Sequence, residues 1–124
     1  MKKKSIQVFS KKEEDLVDIL AGIGMRRTVA RVLVYLLYME KTTLQAIEHC
    51  TALSQPEVSM ALKHLVGRGW ITVGAEQHRG QGRPKKIISL ALPAREILMM
   101  IGDEKKTEID GRISVIRKVG NVIT

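Results

Sequence analysis

The segment LSQPEVSMALKHLVGRGWI, Leu53–Ile71, holds the signals for both ends of one helix. Ser54 is followed three residues later by Glu57, so each side chain can satisfy the other residue's exposed backbone amide. Pro56 falls in the first turn, where amides lack intrahelical acceptors and a proline loses no hydrogen bond. Gly67 and Gly69 supply the stop. A helix fixed this tightly has one apolar side to bury, so the neighbouring segments decide the fold.

Upstream, after Glu40 and Lys41, TTLQAIEHCTAL reads as a short helix with Leu44, Ile47 and Leu53 inward. Ala46 and Cys50 complete that buried side. Its junction with the next helix, at residues 52–54, is tight enough for a helix-turn-helix. RRTVARVLVYLLYME gives an earlier helix from about Arg26 to Met39. From Val32 onward it is apolar on every side, which marks the central helix, or one half buried against a second subunit. EEDLVDILAGIG places Leu16, Ile19, Leu20 and Ile23 at helical spacing. Its acids lie in the first turn, where the helix dipole favours them, and Gly22 and Gly24 end it. Residues 1–12 carry five lysines and form a basic tail, either solvated or an arm that touches phosphates.

Downstream, WITVGA and KKIISLAL read as the two strands of a hairpin. Their connection, EQHRGQGRP, is polar, glycine-rich and basic, and too long for a two-residue turn. Pro93 begins a last helix in which Ile97, Ile101, Ile109, Ile113 and Ile116 recur every three or four residues. The polar run DEKKTE interrupts that stripe, and Gly102 and Gly111 are points where the helix could break or kink. The chain is therefore expected to be mainly α with a small β-hairpin, in the element order of a winged helix-turn-helix. Residues 13–92 would form that domain and residues 93–124 a C-terminal helical segment.

At 100° per residue, Val58, Ala61, Leu62 and Leu65 make one core stripe on the capped helix. Pro56, Met60, Lys63 and Gly67 fall opposite. Gln55 and Ser59 border that outer side on one edge, and Glu57 and His64 on the other. Such a surface is small, polar or basic, with its one acid engaged in capping. It can enter the major groove of B-DNA, about 12 Å wide, without repelling phosphates. Gln55 and Ser59 could bond base edges or phosphates, Met60 could meet thymine methyls, and Lys63 could reach a phosphate or guanine. An ordinary solvated helix face would look similar if it stood alone.

It does not stand alone. Arg79, Arg83, Lys85 and Lys86 put four cations within eight positions of the strand connection. Glycines flank the arginines, so backbone can approach a surface closely, and Pro84 stiffens the exit. Arginine reaching into a narrow minor groove gains from the enhanced negative potential there. Residues 54–92 hold six Lys/Arg against two Asp/Glu, a net +4, within a chain of net charge +8. That balance favours a polyanionic partner, nucleic acid before an acidic membrane or protein. A loop kept soluble by charge is the plainer alternative.

These residues carry a resemblance. Ser54, Gln55, Pro56, Val58, Ser59, Leu62, Lys63 and Leu65 match the S-Q-P-x-V-S-x-x-L-K-x-L pattern of the recognition helix in ArsR-like winged helix-turn-helix regulators. Residues 26–92 resemble the wider MarR-like and TrmB-like layout, with GRPKK as the wing. The resemblance implies sequence-specific binding of double-stranded DNA by a homodimer, with transcriptional regulation as the outcome. Ser54, Gln55, Pro56, Ser59, Met60 and Lys63 would face the major groove. Arg79, Gln81, Arg83, Lys85 and Lys86 would hold the adjacent minor groove or phosphates. The two cysteines that metal-sensing ArsR-like proteins carry ahead of this motif are here Thr43 and Gln45, so no such metal site is expected.

Other chemistry finds little support. His49, Cys50, His64 and His78 lack metal-ligand spacing, and Cys50 reads as a core residue. No nucleophile with a base, no P-loop and no cofactor motif is recognisable, so an enzyme is not expected. One cysteine fits a reducing cytoplasm, and the longest apolar run, Val32–Met39, is far short of the ~20 residues that span a bilayer. The isoleucines at 97, 101, 109, 113 and 116 are expected to pack on a second subunit, with folding back on the same chain as the alternative. Two recognition helices ~34 Å apart would then read a roughly palindromic site. A winged helix used for protein–protein contact in transcription machinery, or one binding nucleic acid without sequence preference, are the other readings the residues allow.

Overall fold

The computed structural model describes residues 9–75 and 85–123. Five helices and three strands follow in the order α1 (Lys11–Gly22), α2 (Arg27–Met39), β1 (Lys41–Thr43), α3 (Leu44–Thr51), α4 (Gln55–Gly67), β2 (Ile71–Ala75), β3 (Lys86–Leu90) and α5 (Ala94–Ile123). The chain divides into two compact units between Leu92 and Pro93.

In the first unit α2 is the hub. Val29, Ala30, Val32, Leu33, Val34 and Leu36 are all buried, and α2 packs against α1, α3, α4, β1 and β3. Each fully buried Val or Leu side chain contributes about 1.5–3 kcal/mol. Burial fades at the last turn, where Tyr38 and Met39 are exposed. Glu40 then turns the chain with a φ of 66° while its amide still donates to the Leu36 carbonyl at 2.7 Å.

After Arg27 in its first position, Arg31 is the charged residue within this apolar helix, and its guanidinium meets three partners. Its Nη1 donates to both carboxylate oxygens of Glu14 on α1, at 3.0 and 3.1 Å, and its Nε donates to the Thr51 carbonyl at 3.2 Å. The Phe9 ring lies over the same group, 4.5 Å from its centroid.

The structure departs from the sequence reading at four places. Ser10 caps α1, its hydroxyl accepting from the Glu13 amide while Glu13 returns to the Ser10 amide, so the helix starts within the basic opening. The buried side of α1 is Val17 and Leu20, whereas Ile19 is 61% exposed. Residues 41–43 are a strand rather than the start of α3, and the helix begins only where Thr43 Oγ1 accepts the Ala46 amide at 3.1 Å. The hairpin is thus the core of a three-stranded antiparallel sheet, ordered β1-β3-β2. Thr42 and Val73 both pair with Ile88, which is fully buried.

The fourth departure is in the second unit. There α5 runs unbroken for 30 residues, about 45 Å, straight through Gly102 and Gly111. Ion pairs cross the region of the glycines, Lys105 to Glu108, Glu108 to Arg112 and Lys106 to Asp110. Each such pair is worth only a few tenths of a kcal/mol, but together they offset part of the glycines' cost. Lys105, through its hydrogen bond and then its charge, holds the Glu108 carboxyl below its ordinary pKa, with Arg112 adding to the effect.

If α2 is the hub, truncating it should be costly. Leu33→Ala or Leu36→Ala should lower the unfolding free energy by about 2–5 kcal/mol, whereas Met39→Ala at the exposed end should change it by about 0.5 kcal/mol or less. Urea denaturation followed by circular dichroism measures both.

Candidate nucleic-acid interface

The helix-turn-helix consists of α3, a three-residue joint and α4. Ile47, Cys50 and Thr51 form the buried side of α3, and the Thr51 hydroxyl donates to the Ile47 carbonyl at 2.6 Å. The joint turns at Ala52, whose φ of 59° and ψ of 29° are left-handed. For a residue with a Cβ this costs roughly 1–2 kcal/mol, so the surroundings have to enforce it. Arg31 takes part, because the carbonyl it binds belongs to Thr51, immediately before the turn.

Ser54 then starts α4 with the reciprocal cap the sequence indicates. Its Oγ accepts the Glu57 amide at 3.3 Å, its amide donates to Glu57 Oε1 at 2.9 Å, and the hydroxyl lies 3.1 Å from the same oxygen. Pro56 sits in the first turn. At the other end the Gly69 amide donates to the Val66 carbonyl and the Trp70 amide to the Leu65 carbonyl. Gly69 has a φ of +80°, which only glycine adopts without strain. Gly67 is the last helical residue, so of the two glycines it is Gly69 that makes the stop. The chain passes directly to Trp70, buried with the Arg68 guanidinium 4.7 Å from its ring, and into β2.

Between those ends the core stripe falls as the 100° periodicity places it. Val58, Ala61, Leu62 and Leu65 are buried. Gln55, Pro56, Glu57, Ser59, Met60, Lys63, His64 and Gly67 are exposed, Met60 at 61%. The structure therefore brings Gln55, Pro56, Ser59, Met60 and Lys63 together on one open face, while the Ser54 hydroxyl is used in the cap. Of the wing residues, Lys85 and Lys86 are exposed at the start of β3, with Lys86 opposite Ala75. Arg79, Gln81 and Arg83 lie outside the described residues. Ile109, Ile113 and Ile116 are exposed on α5, whereas Ile97 and Ile101 are buried.

One neighbour of this face was not visible in the sequence. A cleft of about 360 Å³ is lined by Met60 and His64 of α4 together with Arg26, Thr28 and the Gly24–Met25 turn. It extends the outer side of α4 with a cation from more than thirty residues upstream, where nothing local distinguishes Arg26 from any residue opening a helix. Among the described residues no group of His, Cys, Asp or Glu could hold a metal ion, and no helix is long and apolar enough to cross a membrane.

The cap carries a measurable share of the face's stability. Ser54→Ala should destabilise the protein by about 1 kcal/mol, within a range of about 0.5–2. Ser54→Gly should cost only a few tenths of that unit, because glycine also serves at a helix start. Paired thermal melts compare the two.

Residues 23–83 match the MarR family. No curated protein matches the chain significantly. Among solved structures, the archaeal chromatin protein TrmBL2 superposes with a TM-score of 0.62 at 15% identity, over 90% of this chain but 41% of that one. This chain thus spans about two-fifths of that protein. A MarR family regulator from Neisseria meningitidis superposes with a TM-score of 0.50 at 19% identity, over 87% of this chain and 84% of the other. A transcriptional regulator homologue from Pyrococcus horikoshii OT3 gives 0.53 at 16%, over 81% and 96%. At these identities the superpositions speak for the fold, and with the matched segment they agree on one architecture. Residues 23–83 are thus similar to the MarR family, and the described residues share the winged helix-turn-helix fold of these structures.

Proposed function

We propose that this chain is a transcriptional regulator that binds double-stranded DNA in a sequence-specific manner as a homodimer, in the cytoplasm. The observation that carries the reading is the open face of α4. Its apolar stripe is buried, its start is fixed by the Ser54–Glu57 cap, and Gln55, Ser59, Met60 and Lys63 are left facing outward. A helix of this kind fits the major groove, where Gln55 and Ser59 meet base edges and Lys63 a phosphate or guanine. Arg79, Gln81, Arg83, Lys85 and Lys86 of the wing hold the neighbouring minor groove or backbone. The exposed isoleucines of α5 supply the contact with a second copy.

A second reading is favoured by one observation. TrmBL2, with the same fold over 90% of this chain, is described as an archaeal chromatin protein with its own mode of DNA binding. Binding without sequence preference would use the same cations and less of Gln55 and Ser59. Selection of bound duplexes from a random pool separates the two. An enriched inverted repeat supports the regulator, retention of duplex with no enrichment supports the chromatin-like reading, and no retention removes both.

The contacts differ in kind and so should their variants. Lys63→Ala and Arg83→Ala should each weaken binding to duplex DNA and lower the slope of log affinity against log salt by about 1. Gln55→Ala should instead alter base preference while leaving the slope near its wild-type value. Titrations at several salt concentrations measure both quantities, and wild-type affinity from Arg83→Ala would remove the wing from the interface.

A further inference from the structure

A 30-residue helix with an open apolar stripe raises the question of what covers it. With Ile109 as reference and 100° per residue, Leu98, Gly102, Ile113, Ile116, Gly120 and Ile123 all lie within about 40° of it, with Arg95 and Lys105 at the edge of the same arc. Leu98 is 39% exposed and Ile123 75% exposed. Apart from Lys105 and Ile116, which lie on the same stripe and do not match each other, the order between positions 98 and 123 is nearly the same from either end. Ile109 and Ile113 stand two residues either side of position 111, and Gly102 and Gly120 nine either side. Leu98 and Ile123 stand thirteen and twelve away. A Cβ added at Gly102 or Gly120 meets nothing within 4 Å in the chain itself. Mid-helix glycine costs about 1 kcal/mol relative to alanine, so two of them at matched positions ask for a close approach from outside.

Charge is distributed along the same helix. Residues 94–110 hold five acids and three bases, a net −2, and residues 111–123 hold three bases and no acid, a net +3. The helix dipole does not account for this, since its influence fades within the first and last turns. The charges concerned, from Asp103 to Lys118, lie in the interior, and the last turn carries no base.

We propose that α5 pairs antiparallel with α5 of a second copy of this chain, with the two-fold axis level with Gly111. In this pair Ile109 packs on Ile113 of the other copy, the Gly102 and Gly120 positions meet where the backbones come closest, and each acidic half lies along a basic half. A parallel pair would set the net negative half on its like and the net positive half on its like. The inference rests on the homodimer of the proposed function and gives it an orientation and a register.

Crosslinking without DNA tests it on the full chain. Leu98→Cys and Ile123→Cys are made singly and together, and the wild type, whose cysteine Cys50 is buried, is the control. Within one helix the two positions are about 37 Å apart. A disulfide requires Cα atoms roughly 4.4–6.8 Å apart, so a bond between them has to join two chains. Mild oxidation should convert the double variant to covalent dimer at least tenfold more completely than either single variant. Efficient linkage of Ile123→Cys to its own copy would mean a parallel pair and would overturn the proposal. So would a double variant that stays unlinked while sedimentation still finds a dimer, an outcome that leaves the homodimer standing. A monomer in sedimentation removes the homodimer as well, and DNA binding by α4 is judged separately by the salt titrations.

Discussion

Everything in the first unit is arranged by the need to bury α2 on all sides. From Val29 to Leu36 nearly every side chain is out of water, and satisfying them takes three helices and two strands packed around one axis. The orientation of α4 follows from this. Val58, Ala61, Leu62 and Leu65 have to meet the core, and on a helix with a 100° repeat that fixes which residues point away. The outward face is the complement of the packing, so it is as rigid as the core beneath it. In the proposed binding to a groove of fixed width that rigidity is an advantage, because little conformational freedom remains to be lost.

The joint ahead of α4 shows how an apolar hub accommodates one charge. Burying a guanidinium without partners would cost several kcal/mol, yet Arg31 is placed where a carboxylate, a carbonyl and an aromatic ring converge. Those partners come from α1, from the end of α3 and from Phe9. One side chain on α2 therefore fixes both the N-terminal helix and the residue before the left-handed turn at Ala52. The strain at Ala52 persists because the Arg31 contact on one side and the Ser54 cap on the other leave the chain no relaxed path between α3 and α4. A displacement of α1 would act on this joint through Glu14 and Arg31.

The parts of this architecture that could be read in the sequence are those decided locally. The cap of α4, its two faces, the ends of α2 and the two hairpin strands all follow from patterns a few residues long. The parts that could not are decided by distant partners. Lys41–Thr43 is a strand because β3, more than forty residues away, pairs with it, and the same threonines are equally suited to opening a helix. Val17 rather than Ile19 is buried because the packing of α1 on α2 rotates the helix, and two apolar residues so close in sequence leave that angle undetermined. Gly102 and Gly111 did not break α5 because the cost of each is about 1 kcal/mol and the rest of a 30-residue helix outweighs it. Arg26 became part of the α4 surroundings only through the fold.

The two surfaces proposed here, one for DNA and one for a second copy, obey different symmetry requirements. A face that meets a nucleic-acid backbone needs an excess of one sign of charge, which residues 54–92 have. A face that meets its own copy across a two-fold axis has to be complementary to itself, and the opposite net charges of the two halves of α5 suit that requirement. An antiparallel pair centred on Gly111 holds the starts of the two α5 helices about 51 Å apart, whereas a parallel pair would hold them roughly 10 Å apart.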